Sequence, residues 1–371
     1  MQQTTATKVL PSHTHQITER YSKNLEIISQ FKKGQITKDL LKSYSGWGGL
    51  REAVYTPSVY KEMKKILTQD EITTLKQTLT NAYYTPPDIV KFMYDWLSAY
   101  GFTGGDILEP AIGQGVFIEH MPRAIKDNSR IIGVELDHLT SQMVKTLYPD
   151  ITLHNCGFEQ YQPHEKFDLI IGNPPYGSAH IIDSQHLDLK ECRIHHYFVA
   201  KSMRLLKEGG ILAMVLPSFF MDNMKGHVRD VIYREGGDLL SAYRLPDDLF
   251  SDAKVTVDVV FLIKRRTGKR WVDAKDICIG GIKKPMNEFF HQYSNRILGN
   301  LEIIDMYGRK GLSCKKRGDT SQLLHDAINN LKHQRLAKIS QELASINQKM
   351  QDLQTLKQGL ANTYQQMIAP C

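Results

Sequence analysis

Residues Gly104–Met121 read GGDILEPAIGQGVFIEHM, and this stretch decides the fold. Ile107 and Leu108 make a short apolar strand that stops on Glu109. Gly113 and Gly115 then allow a sharp turn with room for a ligand beside the backbone, and Val116–Ile118 begin a helical pattern. A strand, an acid, a glycine turn and a helix form the opening of a βαβ unit. The third glycine of a dinucleotide fingerprint is replaced by Ile118, and no Gly-Lys-Ser/Thr follows, so neither a dinucleotide nor a nucleoside triphosphate site is indicated. A second strand, RIIGVELD, reaches Glu135 twenty-six residues beyond Glu109, where an acid can accept hydrogen bonds from the two hydroxyls of a ribose.

Working outward, short apolar runs alternate with helical patterns from residue 81 to about 265, as in α/β folds. The expected strands are Asp106–Leu108, Arg130–Glu135, Asp168–Gly172, Gly210–Leu216 and Val255–Lys264. The third runs into Asn173-Pro174-Pro175-Tyr176. Each proline fixes its own φ and holds the preceding residue extended, so the backbone leaves the strand stiffly. Ligands of open parallel sheets bind beyond the carboxyl ends of strands. A stiff segment there can offer the Asn173 side-chain oxygen and the Pro174 carbonyl as two acceptors, with the Tyr176 ring as a platform. That combination suits a planar group bearing –NH2.

These residues bring a family into view. From Asn81 to Lys264 the chain resembles the S-adenosylmethionine-dependent DNA N6-adenine methyltransferases of the gamma arrangement, in which the cofactor motif precedes Asn-Pro-Pro-Tyr and a target-recognition region follows both. The resemblance implies a Rossmann-like class I methyltransferase, an α/β fold with a seven-stranded, mostly parallel sheet. It implies S-adenosyl-L-methionine as cofactor and DNA as partner. By that likeness Tyr84, Thr85 and Pro86 cover the methionine end, Glu109, Pro110, Ala111, Gly113 and Gly115 form the cofactor turn, and Glu135 takes the ribose. Phe158 packs on the adenine, and Asn173, Pro174, Pro175 and Tyr176 carry the chemistry. Phe198 supplies a second aromatic, opposite Tyr176, for a flipped target base. One position departs from the pattern: Gly157 stands where the family has an aspartate that contacts the cofactor's adenine, so that contact falls to Asn155, to Glu159 or to neither.

The same tetrad serves enzymes that methylate a glutamine carboxamide or RNA, and a fold retained only for holding DNA is a further alternative. The second aromatic, the upstream YTPPDIV and the charge distribution favour a base in a polymer. The net charge is +7, yet fifteen Lys/Arg against six Asp/Glu between Lys254 and Arg317 give that segment +9 and leave the rest at −2. Lys264, Arg265, Arg266, Lys269, Arg270, Lys283, Lys284, Lys315, Lys316 and Arg317 are the expected nucleic-acid contacts.

The remainder is read as follows. Residues 1–80 form a helical extension interrupted by the glycine-flanked Trp47 in YSGWGGLREAVY, a segment similar to ones in large phage and plasmid antirestriction proteins that carry methyltransferase and helicase parts. Residues 81–265 are the methyltransferase domain, 266–320 a small basic region without clear periodicity, and 321–371 a long helical arm. In that arm Leu343, Ile346, Met350 and Leu353 follow heptad spacing while Arg335 and Lys357 interrupt it, which suits a helical hairpin, a packed arm, or a homodimer or partner-protein contact. Five scattered cysteines, no CxxC pair, no apolar signal core and no long apolar run indicate a reducing, cytoplasmic setting without membrane contact. No metal is expected, since the spacing of His186, Cys192, His195 and His196 matches no common site. Asp247 and Asp248 read as turn residues, and Trp96 and Trp271 as core.

Overall fold

The computed structural model describes residues 13–47, 50, 54–78, 85–225, 227–250, 255–265, 273–306 and 308–368. Tyr84, Arg266, Lys269, Arg270 and Trp271 lie outside the described residues. Four helices come first: α1 (His13–Lys32), α2 (Lys38–Lys42), α3 (Pro57–Ile66) and α4 (Gln69–Thr78). The α/β part opens with α5 (Pro87–Tyr100), β1 (Gly105–Glu109), α6 (Val116–Glu119), α7 (Arg123–Lys126) and β2 (Ser129–Glu135). It continues through α8 (His138–Leu147), β3 (Thr152–Asn155), β4 (Phe167–Gly172), α9 (Ile194–Leu205) and β5 (Leu206–Pro217). Next come α10 (His227–Arg234), β6 (Gly237–Arg244) and β7 (Val257–Lys264). Two hairpins, β8 (Ala274–Ile279) with β9 (Ile282–Asn287) and β10 (Gly299–Met306) with β11 (Arg309–Lys316), enclose α11 (Glu288–Gln292); α12 (Thr320–Ile368) follows.

Seven strands make one sheet in the order β3-β2-β1-β4-β5-β7-β6. All neighbours pair in parallel except β7, which runs antiparallel to both β5 and β6. This is the expected class I methyltransferase sheet, with two strands, β3 and β6, that the sequence pattern did not reveal. The chain moves outward from β1 through β2 to β3, then returns to lay β4 on the other side of β1. Strand order therefore reverses between β1 and β4, and a crevice opens beyond their carboxyl ends. Register pairs Ile107 with Leu169 and Leu108 with Ile170, so Glu109 and the residues after Gly172 emerge side by side.

Each face of the sheet has its own core. On one, α5 turns Ile89, Val90, Phe92, Met93, Trp96 and Leu97 inward at helical spacing, and the helix ends at Gly101 in the left-handed region, φ 105°. Trp96 stacks on Phe261 with ring centroids 3.8 Å apart, which makes it the core residue expected. The start of α12 joins this face through Leu324, Ala327 and Ile328. On the other face lie α9 and residues of the hairpin region, including Met286, Phe290 and Cys314. A fully buried Arg244, held between Asp258 and Asp222, ties that region to the sheet, because Asp222 also accepts the Asn287 backbone N–H at 2.9 Å.

The N-terminal helices pack around Ile27, Leu41, Trp47, Met63 and Ile72, and this cluster closes against Leu139 and Met143 of α8. The basic region, which shows no clear periodicity in sequence, forms two β-hairpins among its described residues. The C-terminal segment is the long helix expected, a single 49-residue element, which leaves the helical-hairpin alternative aside. No helix among the described residues is long and apolar enough to cross a membrane.

Candidate active site

A cavity of about 190 Å³ opens at the switch point. Its wall brings together Glu109, Pro110, Ala111 and Gly113 from the end of β1, Glu135 from the end of β2, and Asn173 and Pro175 from the end of β4. Thr85, Phe158 and Phe198 also line it. Pro86, Gly115, Pro174 and Tyr176 are not in the wall. Gly115 lies one turn behind, with φ 76° and its α-carbon packed so closely on Tyr148 that a Cβ would sit 2.7 Å from the ring.

Local structure fixes the acids. Glu135 accepts the Gly113 N–H and the Asp137 N–H, both at 2.8 Å, which locks the glycine turn to the end of β2. Asp137 in turn caps α8, accepting from the Thr140 N–H at 2.9 Å. Burial pushes the Glu135 carboxyl up to about 7, assisted by the neighbouring charge of Asp137, although its backbone hydrogen bonds pull the other way. Burial and the charge of Glu135 drive Glu109 well above the usual carboxylate range. One Glu109 oxygen, the Thr85 hydroxyl and the Gln114 amide nitrogen are buried without a hydrogen-bond partner among the described residues. All three residues line the cavity. Polar atoms left bare at such a site are explained by a ligand that completes them.

At Gly157 the space beside the backbone is taken by a neighbouring acid. The side chain of Glu159 folds back so that a Cβ on Gly157 would collide with its carboxylate, and Glu159 lines the cavity. An acid two residues downstream thus fills the space that a side chain at 157 would enter. Asn155 does not compete for it: its amide donates to the Glu135 carbonyl at 2.9 Å, and its oxygen lies 2.7 Å from His138 Nδ1.

The aromatic residues divide. Phe198 packs on Phe158 with centroids 4.8 Å apart, on the cavity side. Tyr176 is buried in the opposite core, its hydroxyl 2.5 Å from Asn173 Oδ1 and 2.9 Å from the Val215 carbonyl oxygen. The two rings are therefore not brought together here. Beneath Phe158, the buried Lys201 donates to its carbonyl at 2.6 Å and to Asp183 at 2.9 Å, and Tyr197 also donates to Asp183 at 2.7 Å. Burial raises the Asp183 carboxyl, but these two donors hold it below its ordinary value.

Several lining residues escaped the sequence reading, Gln114, Trp47 and Ile181 among them. Trp47, carried in from the N-terminal helices, lines the cavity and is nearly buried. Arg20 and Asn24 of α1 hold its turn by hydrogen bonds to Ser45 and Gly46. The glycine-flanked tryptophan was the signal, but its target could not be read. Ile181, from the loop after Tyr176, also lines the wall.

The basic residues also separate. Lys283, Lys316 and Arg317 face solvent on the hairpins, and Lys284 is half-buried. Lys264 instead donates to the Met203 carbonyl at 2.9 Å, Arg265 pairs with Asp238, and Lys315 pairs with the buried Asp247. No group of three or more His, Cys, Asp or Glu among the described residues is arranged to hold a metal.

Residues 63–235 match the Eco57I restriction-modification methylase family. Over 193 residues the chain is 33% identical to Type II methyltransferase M.CvrRI of Paramecium bursaria Chlorella virus XZ-6E, covering 50% of this chain and 48% of that protein. Over 192 residues it is 29% identical to Defense against restriction protein B of Escherichia phage P1, covering 49% of this chain and 8% of that one. A putative class I S-adenosylmethionine-dependent methyltransferase from Listeria monocytogenes overlays with TM-score 0.45 at 18% identity, over 67% of this chain and 88% of that one. The chain thus spans about half, or far less, of the length of these curated relatives. Within the matched span the chain is similar to restriction-modification methyltransferases, and this similarity indicates S-adenosylmethionine as the cofactor. The cavity fits it, since bare and buried acids suit a ligand with cationic and hydroxyl groups, and Phe158 suits an adenine ring.

Proposed function

We propose that this chain transfers a methyl group from S-adenosylmethionine to the N6 amino group of adenine in DNA, with the base flipped out of the stack. One observation carries the reading: Asn173, the first residue after β4, shares a cavity wall with Glu109 and Glu135 across the switch point. In this assignment Glu135 takes the ribose hydroxyls, Glu159 the adenine amino group, and Phe158 the adenine face. The bare oxygen of Glu109 receives the methionine ammonium, with Thr85, Pro86 and Tyr84 covering that end. Pro110, Ala111, Gly113 and Gly115 shape the turn beneath.

The cofactor supplies a methyl already activated on a sulfonium, so the protein contributes alignment and electrostatics. Asn173 Oδ1 and the Pro174 carbonyl accept the two N6 hydrogens and aim the nitrogen lone pair at the methyl carbon. The N–C bond forms as the C–S bond breaks, and one N6 proton then leaves to water. Pro175 keeps the segment stiff. Admission of the base requires the Tyr176 hydroxyl to release Asn173, after which the Tyr176 ring is available to stack opposite Phe198. Each base–aromatic contact offsets about 1–3 kcal/mol of a flipping cost of a few kcal/mol.

Lys283, Lys284, Lys316 and Arg317, with Arg266, Lys269 and Arg270, contact phosphates, while Lys264, Arg265 and Lys315 brace the framework that presents them. Residues 1–80 then close the cofactor side, 81–265 catalyse, 266–320 hold DNA, and 321–371 present an arm for a second copy or partner protein, all in the cytoplasm. The test is label transfer from methyl-tritiated cofactor to unmethylated duplex DNA, to RNA of the same sequence and to a glutamine-bearing peptide. Transfer to DNA alone is the expected result; preferential labelling of RNA or peptide would replace this reading.

A further inference from the structure

We infer that the distal part of α12 pairs with the same segment of a second copy of this chain, as an antiparallel two-stranded coiled coil. The helix starts on the body, where Leu324, Ala327 and Ile328 are buried and the Arg335 guanidinium lies 5.1 Å from the centroid of the Tyr100 ring. Beyond Arg335 its large apolar side chains are exposed among the described residues. One heptad register then runs unbroken to Met367. Leu336, Leu343, Met350 and Tyr364 take its a positions, and Ile339, Ile346, Leu353, Leu360 and Met367 its d positions. Each of these is at least 42% exposed. Arg335 falls one place before the seam, so Lys357, at a, is the one interruption.

Area, flanking charge and Lys357 together identify the occupant. Nine side chains of this kind each offer roughly 60–120 Å² of apolar surface, or about 500–1,100 Å² per chain, against the roughly 800 Å² per partner of a stable interface. Foreign coiled-coil partners are selected by charges at e and g. Here e holds Ser340, Asn347, Gln354 and Ala361, and g holds Glu342, Lys349, Leu356 and Thr363, which leaves almost no charge code for a stranger. Parallel, in-register pairing would set the two Lys357 ammonium groups in one layer. Antiparallel pairing over the full seam instead stacks Leu336 on Met367, Leu343 on Leu360, Met350 on Leu353 and Tyr364 on Ile339. It sets Lys357 against Ile346 of the second copy, one turn from that copy's Glu342.

Sedimentation velocity on this chain tests this independently of any chemistry in the cavity. A dimer is expected at micromolar concentration, and Leu343→Glu/Leu360→Glu, both at exposed positions, should give a monomer with unchanged helicity by circular dichroism. Ile346→Lys alone sets ammonium groups face to face in the antiparallel pair and should raise the dimer dissociation constant at least about tenfold. Adding Lys357→Glu to Ile346→Lys makes the facing pair opposite in charge and should restore the dimer, whereas in a parallel pair both layers would repel. A monomeric wild type, a dimer indifferent to Leu343→Glu/Leu360→Glu, or failure of the charge exchange to restore pairing would each overturn the proposal.

Discussion

If Glu159 replaces the aspartate missing at Gly157, removing its carboxylate should weaken cofactor binding by a definite amount. Glu159 is half-buried and folds over Gly157, so Glu159→Ala deletes a cavity-facing acceptor without opening the core. A hydrogen bond from the adenine amino group to a carboxylate contributes about 1.5–3 kcal/mol. At 1.4 kcal/mol per decade, the dissociation constant should rise roughly 10- to 150-fold. Isothermal titration calorimetry with S-adenosylmethionine measures this directly. Gly157→Asp alone should also weaken binding, because the new side chain collides with the Glu159 carboxylate and repels it. Combined as Gly157→Asp/Glu159→Ala, the two should recover most of the affinity, since one acid again fills one space. Affinity within twofold of wild type for Glu159→Ala, with no recovery in the double variant, would refute the reasoning and leave the adenine amino group without a protein partner.

Four further outcomes are expected. Because burial raises Glu135 to about 7, its contribution to stability is fully present below about pH 4.5 and is lost as pH rises through about 7; denaturant titrations at pH 5 and pH 8 should differ by up to about 3 kcal/mol from this group, and Glu135→Gln should flatten that difference whatever its own cost. Trp47→Ala should weaken cofactor binding and remove most of the tryptophan fluorescence change on cofactor addition, while Trp47→Phe keeps the fold; an unchanged fluorescence response would remove Trp47 from the site. Lys201→Met leaves the buried Asp183 without its counter-ion, though Tyr197 still donates to it, and should cost about 3 kcal/mol by urea denaturation. Gly115→Ala forces a side chain into the left-handed region against Tyr148 and should lower stability by about 1–3 kcal/mol, read as a fall in the denaturation midpoint.

The sequence made the centre of this molecule legible and its margins less so. Strands β1, β2, β4, β5 and β7 are apolar runs buried on both faces, and composition alone reveals such strands. β3 is a four-residue edge strand, TLHN, mostly exposed, so no hydrophobic pattern marks it. β9 contains Pro285, which argues against a strand in sequence, yet it pairs with Asp276 in a two-stranded ribbon whose unpaired edge tolerates a proline. At the site, Glu109, Gly113, Glu135 and Asn173 were readable because each ends a strand or follows one closely, and strand ends converge at a switch point. Trp47 was not, since it arrives from a separate helical cluster, and Glu159 was only one of two candidates until its fold-back over Gly157 was seen. Lys264 and Lys315 looked like free cations, and only tertiary packing reveals the carbonyl and carboxylate that hold them.

The central claim is that Asn173 aims an adenine N6 at an activated methyl group. It is tested most directly by incubating wild type and Asn173→Ala with cofactor and unmethylated duplex DNA, digesting the DNA to nucleosides and analysing them by mass spectrometry. N6-methyldeoxyadenosine is expected from the wild type and at least a hundredfold less from Asn173→Ala, with cofactor binding retained in both. A different methylated nucleoside, or equal yield from the two proteins, would contradict it.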